Sequence, residues 1–401
     1  MSGNIHISKR YEGVQGGLFS KVTKADVGDN FASMEKDAIT LMGWADPFYP
    51  DPSLPDFLKK NLIELVDSGI SSHYTLPVGD PELRRRIAEK LLRFNHIQAD
   101  PMRNIIVTPG SDSGLFYALS AVIDPGDEVL VPDPSYPNNF LDVQILGGKA
   151  VSVPLEFEEG YQLNLERFKA ALTPRTRVVV LTHPNNPTTT VFRRDNLEAL
   201  ASFIQENDLM LVVDQAFEDS VFDGVEFVSP AALPGMWERT ISVFSISKGM
   251  GLSGFRVGYV VADDHIMDIL YGAAVNVLGA TNTLSQKMAI AAFDNSGFLQ
   301  QNIAEFDERR RSAYEILSAV PGVRMQIPES GFFSWLDVSA LGDSTEIMDY
   351  ILQTARVAVN DGKNYGQRGT GFLRIIHGCL GTREASDAAL CRIADALRKL
   401  S

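Results

Sequence analysis

Residues 177–181 read Arg-Val-Val-Val-Leu, a β-branched run that is apolar on both faces. Runs of the same kind recur at 104–107, 128–131, 209–213 and 240–244. A strand that helices cover on both sides has this composition, because neither of its faces meets water. Helical stretches separate the runs. This alternation predicts an α/β fold built on a mostly parallel sheet, and such sheets bind ligands at the carboxyl ends of their strands.

The pattern changes near residue 298. A long amphipathic helix is expected from there to about residue 320, and its Glu-Arg-Arg-Arg run at 308–311 is expected to face solvent. A shorter α+β pattern follows, with two expected strands and two expected helices at 331–336, 371–376, 345–355 and 384–400. A chain of 401 residues exceeds one ordinary core. We therefore expect a large α/β domain and a smaller α+β domain.

Charge and composition disfavour several classes of partner. The formal net charge of −15 opposes nucleic acid and anionic membranes, because both would be repelled. No apolar run approaches the roughly 18 residues of a membrane span, and residues 1–10 show no apolar signal-peptide core. Cys379 and Cys391 lack metal-ligand spacing and are expected to be reduced, packed thiols. These features predict a cytoplasmic protein without a metal site.

One lysine lies in a sequence suited to a phosphorylated aldehyde. Residues 245–259 read Ser-Ile-Ser-Lys-Gly-Met-Gly-Leu-Ser-Gly-Phe-Arg-Val-Gly-Tyr. The amine of Lys248 can form a Schiff base with an aldehyde cofactor. Ser245, Ser247 and Arg256 supply hydroxyl donors and a fixed cation for a phosphate. A lone lysine among glycines is more often a solvated loop residue, so the rest of the chain decides.

Three other positions have a chemical argument of their own. Residues 108–114, Thr-Pro-Gly-Ser-Asp-Ser-Gly, join a strand to a helix, and N–H groups at such a helix start bind phosphate. Asp214 follows a fully apolar strand, where a carboxylate is costly without a cationic partner. Arg374 lies in Gly-Phe-Leu-Arg-Ile at 371–375, and its planar guanidinium suits a carboxylate. An ordinary helix cap, a structural carboxylate and a structural ion pair are the plain alternatives.

Further stretches complete an ordered set of motifs: Leu-Met-Gly-Trp-Ala-Asp-Pro-Phe-Tyr-Pro-Asp-Pro at 41–52, His-Tyr-Thr-Leu-Pro-Val-Gly at 73–79, Asp-Pro-Ser-Tyr-Pro at 133–137 and His-Pro-Asn-Asn-Pro-Thr at 183–188. Over roughly residues 39–378 the set resembles the pyridoxal-phosphate-dependent aminotransferases of class I/II, fold type I. The resemblance implies a large cofactor-binding domain over 48–290 with a seven-stranded type of sheet. It implies a small domain made of 1–47 together with 291–401.

The resemblance also implies roles for individual residues. Pyridoxal 5'-phosphate is the implied cofactor, with Lys248 as its Schiff-base lysine and catalytic base. The implied cofactor contacts are Gly110, Ser111, Asp112, Tyr136, Asn186, Asp214, Ser245, Ser247 and Arg256, with Tyr74 reaching the site of the neighbouring subunit. The implied substrate contacts are Trp44, Ala45, Asn186 and Arg374, the last on the α-carboxylate. The role of Tyr74 implies a homodimer.

Four positions depart from the family pattern. Ala45 and Thr189 stand where the family usually has glycine. Phe217 stands where the family has a tyrosine that donates to the cofactor phenolate oxygen, which predicts a more basic Schiff base. Asp112 brings a carboxylate into the phosphate cup, so we expect it to turn away and cap the helix.

The predicted activity is transfer of an amino group between an L-amino acid and a 2-oxo acid, with ping-pong kinetics. An eliminating lyase of the C–S lyase kind, or a cyclase, stays open, because the same carbanion can expel a β- or γ-substituent. A regulatory protein on this fold needs a basic DNA-binding head, which the first 40 residues do not resemble. A dinucleotide-binding dehydrogenase needs a Gly-x-Gly-x-x-Gly at its first strand–helix turn, and the first such turn of this sequence does not have one. The sequence does not identify the amino donor.

Overall fold

A computed structural model describes residues 38–51 and 54–401 of the chain. The expectations for residues 1–37, including the reading of 1–10, lie outside these ranges. The strands are β1 (Thr40–Leu41), β2 (Ile105–Thr108), β3 (Glu128–Asp133), β4 (Lys149–Pro154), β5 (Thr176–Thr182), β6 (Met210–Asp214), β7 (Thr240–Ser245), β8 (Gly258–Val261), β9 (Arg324–Met325), β10 (Ser334–Asp337), β11 (Val357–Ala358), β12 (Asn360–Asp361) and β13 (Phe372–Ile375).

The α-helices of the described residues are α1 (Asp56–Asp67), α2 (Pro81–Lys90), α3 (Ser111–Ser120), α4 (Pro137–Ile145), α5 (Leu165–Ala171), α6 (Arg194–Glu206), α7 (Asp264–Val277), α8 (Thr283–Asp294), α9 (Gly297–Ser318), α10 (Ser344–Ala355) and α11 (Arg383–Leu397). None of them is both long and apolar enough to cross a membrane.

The central sheet has seven strands among the described residues, in the order β2-β8-β7-β6-β5-β3-β4. All neighbours pair in parallel except those of β8, which is antiparallel to β2 and β7. The predicted α/β class and mostly parallel sheet are confirmed. All five predicted runs form strands, but β4 and β8 were not predicted. β4 is a half-exposed edge strand that starts with Lys149, so it lacks the fully apolar pattern of the others.

Helices cover both faces of this sheet, which explains its apolar strands. On one face Leu115 of α3, Val143 of α4 and Leu270 of α7 pack on the strands. The opposite face is covered by α5 and α6, whose Phe168 and Leu197 join another cluster. With both faces buried, the carboxyl edge of the sheet is the place where polar side chains can gather.

A second, antiparallel sheet has the order β12-β13-β10-β9. Helices α9, α10 and α11 pack with it into one core. The predicted helices and strands of this region are present, although β10 begins at Ser334, three residues later than expected. The parallel pair β1–β11 attaches the segment from Thr40 to this part of the chain. The division into 48–290 and 1–47 with 291–401 stays a proposal.

The prediction that the run at 308–311 faces solvent is wrong for two of its arginines. Arg309 and Arg310, on α9, are almost completely buried. Nη1 of Arg309 donates to the carbonyl oxygens of Cys379 and Leu380 at 2.7 and 2.8 Å. Arg310 pairs with Asp223 and Asp307 at 2.8 and 2.5 Å. Buried cations need such partners, and these come from distant segments that a local charge pattern does not show.

Candidate active site

A cavity of about 630 Å³ opens at the carboxyl edge of the central sheet. The strand pairing brings the ends of β5, β6 and β7 together there, with Thr182 opposite Asp214 and Asp214 opposite Val243. Eleven of the predicted site residues line the cavity: Trp44, Ala45, Ser111, Asp112, Tyr136, Asn186, Asp214, Ser247, Lys248, Arg256 and Arg374. Residues 331 positions apart in the sequence, Gly43 and Arg374, meet in this wall.

Lys248 lies just past the end of β7, and its amine is within the cavity wall. Its Nζ donates to the carbonyl oxygen of Ala45 at 2.6 Å. Burial lowers the pKa of the Lys248 amine, and the positive charge of Arg374 lowers it further, against an opposing effect of Asp112. A lowered pKa raises the fraction of neutral amine, which is the form that acts as a nucleophile or a base.

Asp214 ends β6 and is buried beneath the cavity. Burial, and then the negative charge of Asp112, raises the pKa of the Asp214 carboxyl to about 7. Its Oδ1 accepts the backbone N–H of Ala216 at 3.1 Å. No ion pair of the described residues includes Asp214. A carboxyl in this position favours a bound cation, since a cation would restore its charged form.

Arg374, on β13, faces the cavity from the other side and is 2% exposed. Nη1 donates to Oδ1 of Asn186 at 3.0 Å, while Nε and Nη2 donate to Oδ1 of Asn360 at 3.2 and 2.8 Å. Nη2 also reaches the carbonyl oxygen of Gly43 at 3.3 Å. These acceptors are neutral, and no ion pair of the described residues includes Arg374. Burial lowers the pKa of Arg374, so this cation would gain from an anionic partner.

The start of α3 and Arg256 form a cradle at the third side of the cavity. Gly110 has φ +87°, and a Cβ atom on it would lie 2.3 Å from Nη2 of Arg256. A Cβ atom on Gly258 would lie 2.6 Å from the backbone N of Ser111. Gly110 therefore lets the Arg256 guanidinium approach the start of the helix, and Gly258 lets β8 pack closely against the same turn. Such an arrangement suits an anion, above all a phosphate.

Asp112 does not cap α3 as expected. The helix has Gly110 at its N-cap and no side-chain cap. The Tyr136 hydroxyl donates to Oδ1 of Asp112 at 2.9 Å, and Oδ2 lies 3.7 Å from Nη2 of Arg256. A hydroxyl and a guanidinium thus hold the carboxylate within the cavity wall. Asp112 does not act as the N-cap because it lies in the first turn of the helix, two residues after the N-cap residue Gly110.

Three predicted residues lie outside the cavity wall. Gly110 adjoins it through Arg256, as described above. Oγ of Ser245 accepts the backbone N–H of Ser247 at 3.0 Å and so shapes the turn before Lys248. Tyr74 is 94% exposed, as a residue that serves another subunit would be. Its role and the homodimer stay predictions.

The sequence model of the family described as aminotransferase class I and II matches residues 39–393. The chain belongs to this family. A probable aspartate/prephenate aminotransferase of Aquifex aeolicus is 34% identical over 334 residues, 81% of this chain and 84% of that protein. An aspartate aminotransferase of Musicola paradisiaca is 31% identical over 351 residues, 87% of each chain. The solved structure of the aromatic aminotransferase from Pyrococcus horikoshii has a TM-score of 0.85 at 31% identity, covering 92% of this chain and 100% of its own.

The predicted family, fold class and enzyme class are therefore confirmed: the protein is an aminotransferase. Enzymes of this family use pyridoxal phosphate, and the polar groups that line the cavity fit that cofactor. A buried carboxylate suits a protonated ring nitrogen, the helix start with Arg256 suits a phosphate, and the Lys248 amine suits an aldehyde. This agreement rests on the arrangement of Asp214, Arg256 and Lys248 described above.

Phe217 keeps the aminotransferase cavity apolar at one point. It lines the wall, and its ring packs 5.8 Å from Phe332 and 5.0 Å from Phe333 between ring centres. Because phenylalanine has no hydroxyl, Phe217 cannot donate a hydrogen bond to a bound cofactor. Oδ1 of Asn186 is used by Arg374, which leaves the Asn186 amide N–H groups as the donors of that side chain.

Sequence reasoning missed two contributors to the aminotransferase cavity. Asn360 lies on β12 directly opposite Arg374 of β13, and it accepts two hydrogen bonds from that guanidinium. Asp46 accepts a hydrogen bond from the Ser253 hydroxyl and lines the wall. A polar residue that ends the apolar run Val-Ala-Val at 357–359 was the available signal for Asn360.

Proposed function

We propose that the protein catalyses transamination between an α-amino acid and a 2-oxo acid with pyridoxal phosphate held at Lys248. The observation that carries this proposal is that the buried carboxyl of Asp214 and the buried guanidinium of Arg374 line one cavity together with Lys248. Arg374 has neutral acceptors only, and Asp214 has no ion pair among the described residues. One cation and one anion are therefore missing, and a protonated ring with a substrate carboxylate would supply both.

The residues that would hold the cofactor follow from the cavity wall. Ser111, Ser247 and Arg256 would bind its phosphate, and Asp214 would pair with its ring nitrogen. Tyr136 offers an aromatic face, and the Asn186 amide offers N–H donors. When bound, pyridoxal phosphate supplies an aldehyde that reacts with amines and a ring that accepts an electron pair.

The chain's own residues then orient the substrate and move a proton. Arg374 would hold the α-carboxylate by two parallel N–H···O bonds and so fix the α-carbon near Lys248. The Lys248 amine, whose pKa is lowered by burial, would remove the proton from the substrate α-carbon and later return a proton at the cofactor carbon. The apolar ring of Phe217, which lines the same cavity, would help to exclude water from it.

The amino donor is an α-amino acid held by its carboxylate, and the relatives bear names of different donors. Among the described residues, the cavity wall has three cationic side chains, Lys248, Arg256 and Arg374, and each already has a task. The wall therefore favours a donor without a second carboxylate. Trp44 and Phe217 add apolar surface that suits an uncharged side chain.

The proposal extends to assembly and location. Tyr74 and Leu76 are exposed, 94% and 53%, on a segment that packs against α8 through Thr75 and Gln286. Neighbouring exposed apolar residues favour a second copy of the chain as their partner. A cytoplasmic location is proposed from the cysteines, because Cys379 and Cys391 are free thiols.

The test is an absorption spectrum of the purified protein, recorded while amino acids are added one by one without a 2-oxo acid. Transamination predicts that the band of the lysine-linked cofactor changes to that of the aminated cofactor, and that a 2-oxo acid reverses the change. An unchanged band with release of ammonia and a 2-oxo acid would replace transamination by elimination. Lys248→Ala is the matched control, because it removes the amine and should remove the first band.

A further inference from the structure

A buried network of polar side chains lies behind the cavity and takes no part in its wall. Glu218 is 4% exposed and follows Phe217 in the turn after β6. The Lys90 amine, at the end of α2, donates a hydrogen bond to its Oε1. The Asn95 amide donates to its Oε2 at 2.5 Å and to Oγ of Ser229 at 2.8 Å. Both carboxylate oxygens of Glu218 are thus held by residues 128 and 123 positions earlier in the sequence.

The network reaches the turn that carries Asp214. The next residue, Gln215, donates from Nε2 to Oγ of Ser229 at 2.9 Å, and the same Nε2 lies 3.4 Å from Oε2 of Glu218. The backbone N–H of Glu218 donates to the carbonyl oxygen of Gln215 at 3.1 Å, so side chain and main chain close the same turn. Asp214 and Phe217 lie in this turn, and both line the cavity. Glu218 therefore anchors from behind a turn whose front forms part of the site.

The same network contacts the turn that carries Lys248. Nζ of Lys90 lies 4.8 Å from the ring centre of Phe244, which is on β7 four residues before Lys248. Gly249, the residue after Lys248, packs on Asp219. A Cβ atom on Gly249 would lie 2.7 Å from Cβ and 2.9 Å from Oδ2 of Asp219, so a side chain there would clash. The two turns therefore pack against each other and share the support of the Lys90 side chain.

The energetics of this ion pair favour a role in placement over a role in stability alone. Burial raises the pKa of the Glu218 carboxyl, and the positive charge of Lys90 opposes this rise. A buried ion pair seldom adds stability beyond that of apolar side chains of similar size, because both charges lose their water. A pair whose hydrogen bonds are satisfied fixes one arrangement, since other arrangements leave a buried charge without a partner. A site assembled from two separate turns needs such a fixed arrangement.

We propose that Glu218, paired with Lys90, is a positioning residue that keeps Asp214 and Lys248 at the separation that one bound pyridoxal phosphate requires. The proposal rests on the proposed function, because it assumes that Asp214 meets the ring nitrogen of a cofactor linked to Lys248. Glu218 acts through the main chain of residues 214–218 and does not line the cavity itself.

Loss of the pair lets the turn of Asp214 shift, so that its carboxylate holds the proton of the ring nitrogen less firmly. A less protonated ring withdraws electron density less strongly. The link to Lys248 should then keep its own proton to a higher pH. A loss of stability elsewhere in the protein would not move this titration.

The test compares the wild-type holoenzyme with Glu218→Gln. The variant keeps the shape of the side chain, but one acceptor oxygen becomes an amide nitrogen, so either Lys90 or Asn95 loses its acceptor. Spectrophotometric titration gives the pH at which the link to Lys248 loses its proton, and equilibrium dialysis gives the dissociation constant of pyridoxal phosphate. We expect the midpoint to rise by about one pH unit and the dissociation constant to rise about tenfold.

Glu128→Gln is the matched control. Glu128 is 3% exposed and accepts hydrogen bonds from Lys149 and Thr173 at 2.9 and 2.5 Å, but it begins β3, at the opposite edge of the same sheet. This variant should unfold at a lower temperature and leave the midpoint unchanged. An unmoved midpoint in folded, loaded Glu218→Gln, or an equal shift in both variants, would overturn the proposal while the proposed function stands. A wild-type protein that binds no pyridoxal phosphate would overturn the proposed function and this proposal with it.

Ser229→Ala tests the same network without changing a charge. Oγ of Ser229 accepts hydrogen bonds from Asn95 and Gln215, so its loss should raise the midpoint by a smaller amount than Glu218→Gln. This variant decides the question if Glu218→Gln does not fold. An unmoved midpoint in folded, loaded Ser229→Ala would then overturn the positioning role of Glu218.

Discussion

Nη1 of Arg374 donates to Oδ1 of Asn186 across 3.0 Å, although the two residues are 188 positions apart. The bond connects β13 of the small sheet with the turn that follows β5 of the central sheet. Asn186 is the proposed cofactor contact and Arg374 the proposed substrate contact. If the Arg374 guanidinium moves toward a bound carboxylate, its hydrogen bond to the Asn186 amide must therefore change as well.

Replacement of Asn360 should weaken substrate binding in a way that depends on charge. In Asn360→Asp a carboxylate would accept the hydrogen bonds of Nε and Nη2 and so satisfy Arg374 internally. Charge-assisted bonds contribute about 1.5–3 kcal/mol each, so KM for the amino donor should rise roughly tenfold to a hundredfold. Steady-state kinetics would measure this, with kcat changing less than KM. Asn360→Leu removes the acceptor without adding charge, and an equal effect of both variants would show that the charge does not compete.

Removal of the Lys248 amine should leave a protein that binds the cofactor without a covalent link. Lys248→Ala loses both the nucleophile and the proposed base, and loss of general base catalysis costs about 10²- to 10⁴-fold in rate. The variant should lack the absorption band of the lysine-linked cofactor, and an added small amine should restore part of the rate. A variant that keeps this band would place the link at another amine.

Asp214 should destabilise the cofactor-free protein at neutral and alkaline pH. Its folded pKa, about 7, is above the ordinary value of 3.8, so the carboxyl favours folding only while protonated. The contribution of the protonated Asp214 carboxyl to the free energy of unfolding is fully present below about pH 4 and is lost as the pH rises through about 7. Each unit of pKa difference between the folded and unfolded states corresponds to about 1.4 kcal/mol.

Without cofactor, Asp214→Asn should therefore unfold at a higher temperature than the wild type at pH 8 and at a similar one near pH 4. With pyridoxal phosphate the advantage should disappear, because the wild-type carboxylate gains a cation. Thermal unfolding followed by circular dichroism measures both states. Asp349→Asn on the exposed side of α10 is the control. A wild-type protein that is equally stable without cofactor at both pH values would contradict the buried charge.

The variant Phe217→Tyr should restore a donor beside the cofactor. The hydroxyl would extend from a ring that already lines the cavity, between Phe332 and Phe333. A hydrogen bond to the cofactor phenolate would stabilise its charge, so the link to Lys248 should lose its proton at lower pH. Spectrophotometric titration reads this midpoint directly. An unmoved midpoint, with the variant folded and loaded, would mean that residue 217 does not face the phenolate.

The sequence predicted the large sheet well because its strands are buried on both faces. The centre of β5 reads Val-Val-Val-Leu and β6 reads Met-Leu-Val-Val before Asp214, a pattern that local reading detects. The edge strand β4 was not predicted because it is partly exposed. Polar residues such as Lys149 and Ser152 can therefore occur in it, and they interrupt the apolar pattern. Strand order, and with it the meeting of Asp214 with Lys248, depends on pairing between segments, which no local pattern encodes.

Eleven of the predicted site residues line one cavity, but the hydrogen bonds among them were not predicted. Asp112 was expected to cap its helix and is held by Tyr136 and Arg256, two residues from other elements. Asn360 could be recognised as a site residue only from the strand register that places it opposite Arg374. Likewise, burial of Arg309 is possible because carbonyl oxygens 70 and 71 positions away in the sequence accept hydrogen bonds from its guanidinium. In each case the deciding partner is distant in sequence.

The hydrogen bond from Lys248 to the carbonyl oxygen of Ala45 holds the main chain at Ala45 against the lysine side chain. The segment from Thr40 to Asp46 is tied at one end to β11 and at the other to this amine and to Ser253. A lysine nitrogen linked to the proposed cofactor would keep at most one hydrogen, fewer than a free amine carries. We therefore expect cofactor binding at Lys248 to weaken this hydrogen bond and to release the segment that also contacts Arg374 through the carbonyl oxygen of Gly43.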